Sequence, residues 1–360
     1  MTRFADAHND LLYEVAYRAH VENPFGRYWL GQLRRGNVAL TVCPISAGLE
    51  QLPEGGLRVA LTQCGGFHRA LRENPDDLVW ARGAGDLAEA ERSGRIALLL
   101  SMEGTEPFGY TPALLEPFVA LGVRMVGLTW NRRNPFADGL GEGESDGGLS
   151  GLGRTLVDAL VDRHIAIDLA HASPRTVDQV LGRAVDGHVL VSHAACRAVY
   201  DSPRNLGDTQ LTAVADAGGL IGIMPHPVTL GVDGGAATLD KAVDHLDHAR
   251  EVVGVEHLAI GSDFSRQIVR SGALHVPPDV IMPDGMTFDA AVEEFEGPAD
   301  FPHLAARMRA RGWTAAECDA VLYDNLRAFL DRVLDHHEPS TRPAGAGHDH
   351  GTGVHHAHRH

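Results

Sequence analysis

IAIDLAHASPRTVDQVLGRAVDGHVLVSH, residues 165–193, reads as strand, helix, strand. Residues 165–169 and 188–192 are short runs rich in Val, Ile and Leu, as expected of parallel strands buried on both faces. Between them, Ser173-Pro174 offers a capping hydroxyl followed by proline at the first helical position. A histidine follows each run, His171 after the first and His193 after the second.

The alternation continues in both directions. Further strands are expected at 3–5, 38–45, 96–102, 124–129, 219–224 and 258–260, about eight in all. Thr111-Pro112 repeats the capping device, and Leu152, Leu156 and Leu160 mark a buried helical stripe. Thr314-Ala-Ala-Glu317 is a capping box that opens a final helix to about Leu334. This pattern predicts an α/β protein built as a (β/α)₈ barrel. A doubly wound sheet is the competing architecture. Glycine-rich 136–149 and irregular 269–298 are long loops after the fourth and eighth strands, of the kind that shape a pocket.

The barrel matters because its strands end at one mouth. His8 and Asp10 follow the first run, Glu103 the third, His171 the fifth, His193 the sixth and Asp263 the eighth. A doubly wound sheet would not so readily bring these to one point. Imidazole and carboxylate together suit zinc, and also manganese, iron or cobalt. A HxD pair on a strand shares one face. Glu103 after an apolar run is costly to bury unless paired or metal-bound, and its two oxygens can bridge two ions. Asp263 could be a ligand or a general base. Arg204, on the loop after His193, could pair with a substrate carboxylate. Each feature alone has a plainer reading: a surface turn for HxD, a helix-start acid for Glu103, a rim histidine, an N-cap for Asp263, a solvated arginine. Their combination points to a two-metal hydrolase.

Composition narrows the class. The 360 residues, 44% hydrophobic and 22% charged, suit one large globular domain. A formal net charge of −17 argues against nucleic-acid binding. The sequence shows no run of membrane-spanning length and no signal-peptide pattern, and Cys43, Cys64, Cys196 and Cys318 form no CxxC pair. A cytoplasmic protein with reduced thiols is expected. One domain is expected over 1–337, followed by a disordered His-rich tail at 338–360. The sequence leaves a homodimer open.

At this point the motifs resemble those of a known family. DAHNDL, MEGTEPF, LTWNRRNPFADG, GLSGLGRTLVDAL, IDLAHAS, VSHAACRAVYDSPRN, IGSDF and RGWTAAECDAVLYDNLRAF, in this order, are similar to the membrane (renal) dipeptidases, the M19 metallopeptidases. The resemblance runs from Phe4 to about Leu334. It implies a (β/α)₈ barrel holding two zinc ions. His8 and Asp10 would bind the first, His171 and His193 the second, and Glu103 would bridge them. Asp263 would handle the proton, Arg204 would hold the free carboxylate of a dipeptide, and a metal-bridging hydroxide would attack the amide.

Two motifs depart from the family. Trp130 stands where mammalian-type members carry a histidine that stabilises the tetrahedral intermediate; Asn131 or Arg132 could take that task, and Trp130 and Asn131 are expected at the substrate. The frequent GSDFDG reads GSDFSR here, with Ser265 and Arg266. The expected activity is hydrolysis of small dipeptides, including those with a C-terminal D-residue. Two alternatives stay open: a related amidohydrolase acting on a non-peptide amide or lactam, and a non-catalytic metal-binding barrel.

Overall fold

The computed structural model describes residues 2–183, 185, 187–231, 237–274, 287 and 289–335. The expected tail lies outside the described residues, as does much of the 269–298 loop. Among the described residues one parallel sheet has nine strands: β1 Phe4–Asp6, β2 Val38–Ile45, β3 Leu78–Trp80, β4 Ile96–Glu103, β5 Val123–Gly127, β6 Ala166–Asp168, β7 Val189–Ala194, β8 Leu220–Ile223 and β9 Leu258–Ile260. The order is β1-β2-β4-β5-β6-β7-β8-β9. β3 is the strand that the sequence reading missed. It pairs with Ile96–Leu98 of β4, while β5 pairs further along the same strand, from Leu100 to Glu103. Eight strands form the barrel wall, and β3 extends one edge of it.

The barrel closes between its first and last strands. Ala7 N donates to Ile260 O at 2.8 Å, and Asp263 N donates to His8 O at 3.0 Å. Asp6 adds a side-chain clasp: its carboxylate accepts from Ser262 N at 2.8 Å and from Ser262 Oγ at 2.6 Å. The architecture is a nearly closed (β/α)₈ barrel, as expected.

Alternation along β4 explains both the core and the site. Leu98, Leu100 and Met102 join the large cluster beneath the helices. Ala97 and Leu99 join a smaller inner cluster with Leu40, Val42, Met125 and Leu190, closed below by Leu326, Phe329 and Leu330 of the last helix. With a period of two, Ser101 and Glu103 continue the inner row towards the mouth. Burying apolar side chains on both faces supplies the main drive for folding.

Local signals fared unevenly. Ser173 Oγ accepts from Thr176 N at 3.1 Å, and Thr314 Oγ1 accepts from Glu317 N at 3.2 Å, so both caps form. The final helical run from Ala315 to Leu334 carries a π-turn at Ala320–Asp324. Thr111 makes no capping bond; a 3₁₀ turn, Pro112–Leu114, follows it and runs straight into the helix Leu115–Ala120. The four cysteines are free and buried. No helix among the described residues is long and apolar enough to cross a membrane.

Candidate metal centre and substrate mouth

The strand β1 ends at Asp6, so His8 and Asp10 lie beyond it rather than on it. Asp10 occupies the position before the helix Leu11–Tyr17. Glu103 is the last residue of β4, and His193 lies near the end of β7. His171 and Asp263 follow β6 and β9 in left-handed backbone, with φ of 63° and 50°. Such φ values are uncommon for residues with a side chain and are found often at functional sites. Here the sharp turn places each side chain at the mouth. Asp263 caps no helix, because the next one begins at Arg266.

These side chains meet. His8 Nε2 is 3.5 Å from Asp10 Oδ1, 3.6 Å from Glu103 Oε1 and 4.0 Å from Asp263 Oδ1. Glu103 Oε1 is 3.2 Å from His171 Nε2 and 3.6 Å from His193 Nε2. Two sets have their ligand atoms within 4.8 Å of one another: His8, Glu103 and His193, and His8, Asp10 and Asp263.

The arrangement fits cations. His8 Nε2 and Asp10 Oδ1 are buried without a hydrogen-bond partner. Burial pushes the Glu103 carboxyl up, His8 opposes it, and Asp10 raises it further. Burial and then Asp10 likewise push Asp263 up. Burial alone would pull His8 down, but Glu103 and Asp10 overcome it and raise the imidazole to about 10. Carboxylates gathered this closely away from water need positive charge among them. The hard oxygen and borderline nitrogen donors match zinc and similar divalent ions.

Neighbouring side chains aim the imidazoles. His171 Nδ1 lies 2.6 Å from Asn131 Oδ1, an acceptor, so Nδ1 carries the hydrogen and Nε2 keeps its lone pair. Asn131 is thereby brought to the site, but through His171. Trp130 packs its ring 5.8 Å from the His171 ring and is partly buried at the mouth. Arg204 is buried; its Nη2 lies 3.0 Å from His171 Nε2 and donates to His193 O at 3.3 Å. Its loop is latched by Asn205 Nδ2, which donates to Tyr200 O and Thr229 O.

Several residues escaped the sequence reading. Tyr13 stands near Asp10 and Glu103, and burial followed by those charges pushes its phenol up. His226 follows β8; burial, then Arg204, lowers its imidazole to about 4, so it stays neutral. Ser192 lies against His193, and Asp168 lies behind Ser192. The signal for the last two was present as a serine just before His193 and an acid three residues before His171.

A model of the membrane dipeptidase family (peptidase family M19) matches residues 1–276. The chain is 32% identical over 219 residues to the dipeptidase verJ of Clonostachys rogersoniana, covering 61% of this chain and 56% of that protein. It is 29% identical over 224 residues to an uncharacterized dipeptidase of Schizosaccharomyces pombe, covering 62% and 49%. The chain thus spans about half the length of these two relatives. A metallo peptidase from Rhodobacter sphaeroides, liganded with a phosphinate mimic of the dipeptide L-Ala-D-Ala, has the same fold: TM-score 0.79, 23% identity, covering 92% of this chain and 99% of that one.

Proposed function

This chain belongs to the membrane dipeptidase family, peptidase family M19, and from that premise we propose that it is a metal-dependent dipeptidase. The observation that carries the reading is the meeting of His8, His171 and His193 around one Glu103 oxygen, with Asp10 and Asp263 beside them. Two divalent ions, zinc in our reading, would be held by His8 with Asp10 and by His171 with His193, sharing Glu103, and would supply polarisation of the scissile carbonyl and acidification of a water.

The protein's own groups then divide the remaining work. Asp263 is the one carboxylate of the cluster left outside that ligand set. It takes a proton from the attacking water and returns it to the leaving amine. Arg204 recognises the substrate. Once His171 Nε2 is committed to a metal, the guanidinium loses that partner and can form a paired bond with a free C-terminal carboxylate. A carboxylate one residue beyond the scissile bond limits the substrate to dipeptides. Trp130 forms an apolar wall there, and Asn131 keeps His171 in its ligating tautomer.

The test joins metal analysis to a substrate panel of L-L, L-D and D-D dipeptides, with L-Ala-D-Ala among them, and a set of non-peptide amides and lactams. Two bound ions and turnover of dipeptides are expected. Turnover confined to non-peptide amides would replace the peptidase reading with a related amidohydrolase. Bound metal with no hydrolysis would indicate a binding barrel.

A further inference from the structure

We propose that Asp168, acting through Ser192, is a positioning residue that fixes the His193 imidazole in its Nδ1–H tautomer. The inference rests on the metal reading above.

Asp168 ends β6, and Ser192 lies in the adjacent β7 directly before His193; all three are buried. Asp168 Oδ1 accepts from Ser192 N at 2.9 Å and from Ala170 N at 3.0 Å. Its Oδ2 accepts from Ser192 Oγ at 2.5 Å. A carboxylate can only accept, so the single hydroxyl proton of Ser192 is committed to Asp168. Ser192 Oγ also lies 2.7 Å from His193 Nδ1. With its proton committed, that oxygen can only accept, and Nδ1 must carry the hydrogen. The lone pair of His193 therefore sits on Nε2, which faces Glu103 and His171. A ring nitrogen binds metal only through a free lone pair.

The serine has little room to move. A Cβ at Gly222 or at Gly261 would lie 1.9 Å from Ser192 O, so the neighbouring backbones pack against it because both residues lack a side chain. The barrel also contains a comparison of its own. Asp6 and Ser262 repeat the clamp, with one carboxylate taking both the N–H and the hydroxyl of a serine just past the end of β9. There the next residue is Asp263, and the other contact of the hydroxyl is His8 O at 3.3 Å. Strand clamping thus occurs at both places, and the relay to an imidazole is added only at Ser192.

The substitution Asp168→Asn separates the two jobs. The amide oxygen still accepts the two backbone N–H groups. The amide nitrogen, in the place of Oδ2, donates to Ser192 Oγ. The hydroxyl then turns its proton towards His193 Nδ1, and the imidazole becomes the Nε2–H tautomer, which cannot ligate. Zinc affinity, measured by competition with a chromophoric chelator, should fall about 10–100-fold. Adding Ser192→Ala removes the misdirected donor, so the double variant should bind zinc more tightly than Asp168→Asn alone. A purely structural clamp predicts the opposite order. Nitrogen-15 NMR of the metal-free protein reads the tautomer directly: Nδ1–H in the parent and Nε2–H in Asp168→Asn. A parent imidazole protonated at Nε2, or a double variant that binds more weakly than the single one, overturns the proposal. If Asp168→Asn fails to fold by circular dichroism, the parent spectrum and the Ser192→Ala variant decide, the latter expected to lose the fixed tautomer. Should the parent bind no zinc, the metal reading fails, while the tautomer measurement still judges the relay.

Discussion

His171 and His193 hold their Nε2 atoms 2.9 Å apart. The other nitrogen of each ring faces an oxygen that accepts its hydrogen, Asn131 Oδ1 for His171 and Ser192 Oγ for His193. Two lone pairs therefore point at one small volume, and Glu103 Oε1 borders it. Arg204 Nη2 meets the His171 lone pair at 3.0 Å, and the remaining acceptors repel one another until a further cation enters.

Glu103 is the acid shared by all three imidazoles, so Glu103→Gln should weaken both ion sites together. We expect a dialysed variant to keep less than half the metal of the parent. Metal analysis against the parent checks this, with the tail histidines contributing equally to both. Full retention of two ions with full activity would remove Glu103 from its bridging place.

Asp263→Asn should leave the fold intact and lower kcat by about 10²–10⁴, the usual contribution of general acid–base catalysis. Steady-state kinetics on metal-loaded protein provide the check. An unchanged kcat would mean that Asp263 carries no proton in the reaction.

Arg204→Ala should lower kcat/KM on a dipeptide with a free carboxylate by roughly tenfold or more, since a bond to a charged group is worth about 1.5–3 kcal/mol. On the same dipeptide amidated at its C-terminus the loss should be much smaller, because the partner is already gone. Equal losses on both substrates would assign Arg204 a structural role instead.

His245 sits in the helix Leu239–Val253, where its Nδ1 accepts from Cys196 N at 3.0 Å. Burial lowers its pKa from 6.5 to about 4. The unfolded chain therefore takes up this proton before the folded one does. The stability contribution of the neutral ring is fully present above pH 6.5 and is lost progressively as pH falls towards 4. His245→Asn keeps an acceptor and removes the titration. Its unfolding free energy should fall less steeply with acid in this window, by about 1.4 kcal/mol per pH unit. Denaturant unfolding of both metal-free proteins between pH 7 and 4 tests the slope.

Much of this was legible in the sequence, for a physical reason. Strands buried on both faces leave continuous apolar runs, so β2 and β9 match their expected bounds. β3 is not anticipated because it stands outside the alternating barrel wall and pairs only with the first residues of β4. The residues of the cluster could be picked out because each follows such a run. Their helpers could not. Asp168 and Ser192 are 24 residues apart, and only the register of β6 against β7 makes them partners. The motif at Asn131 suggests a substrate contact and gives no sign that the fold also turns its oxygen to His171.

The seam between β9 and β1 has a consequence for how the protein is made. Asp6 and Ser262, which join it, are separated by 256 positions in the chain. On the ribosome the first strand is exposed long before its partner has been synthesised. His171, just after β6, and His193, in the adjacent β7, can find each other as soon as β7 emerges. The carbonyl of His8 has to wait for Asp263 N, which donates to it across the seam. Every proposed metal ligand, from His8 to His193, is therefore on the nascent chain before Asp263 is made, and the proton carrier arrives only with the strand that closes the ring.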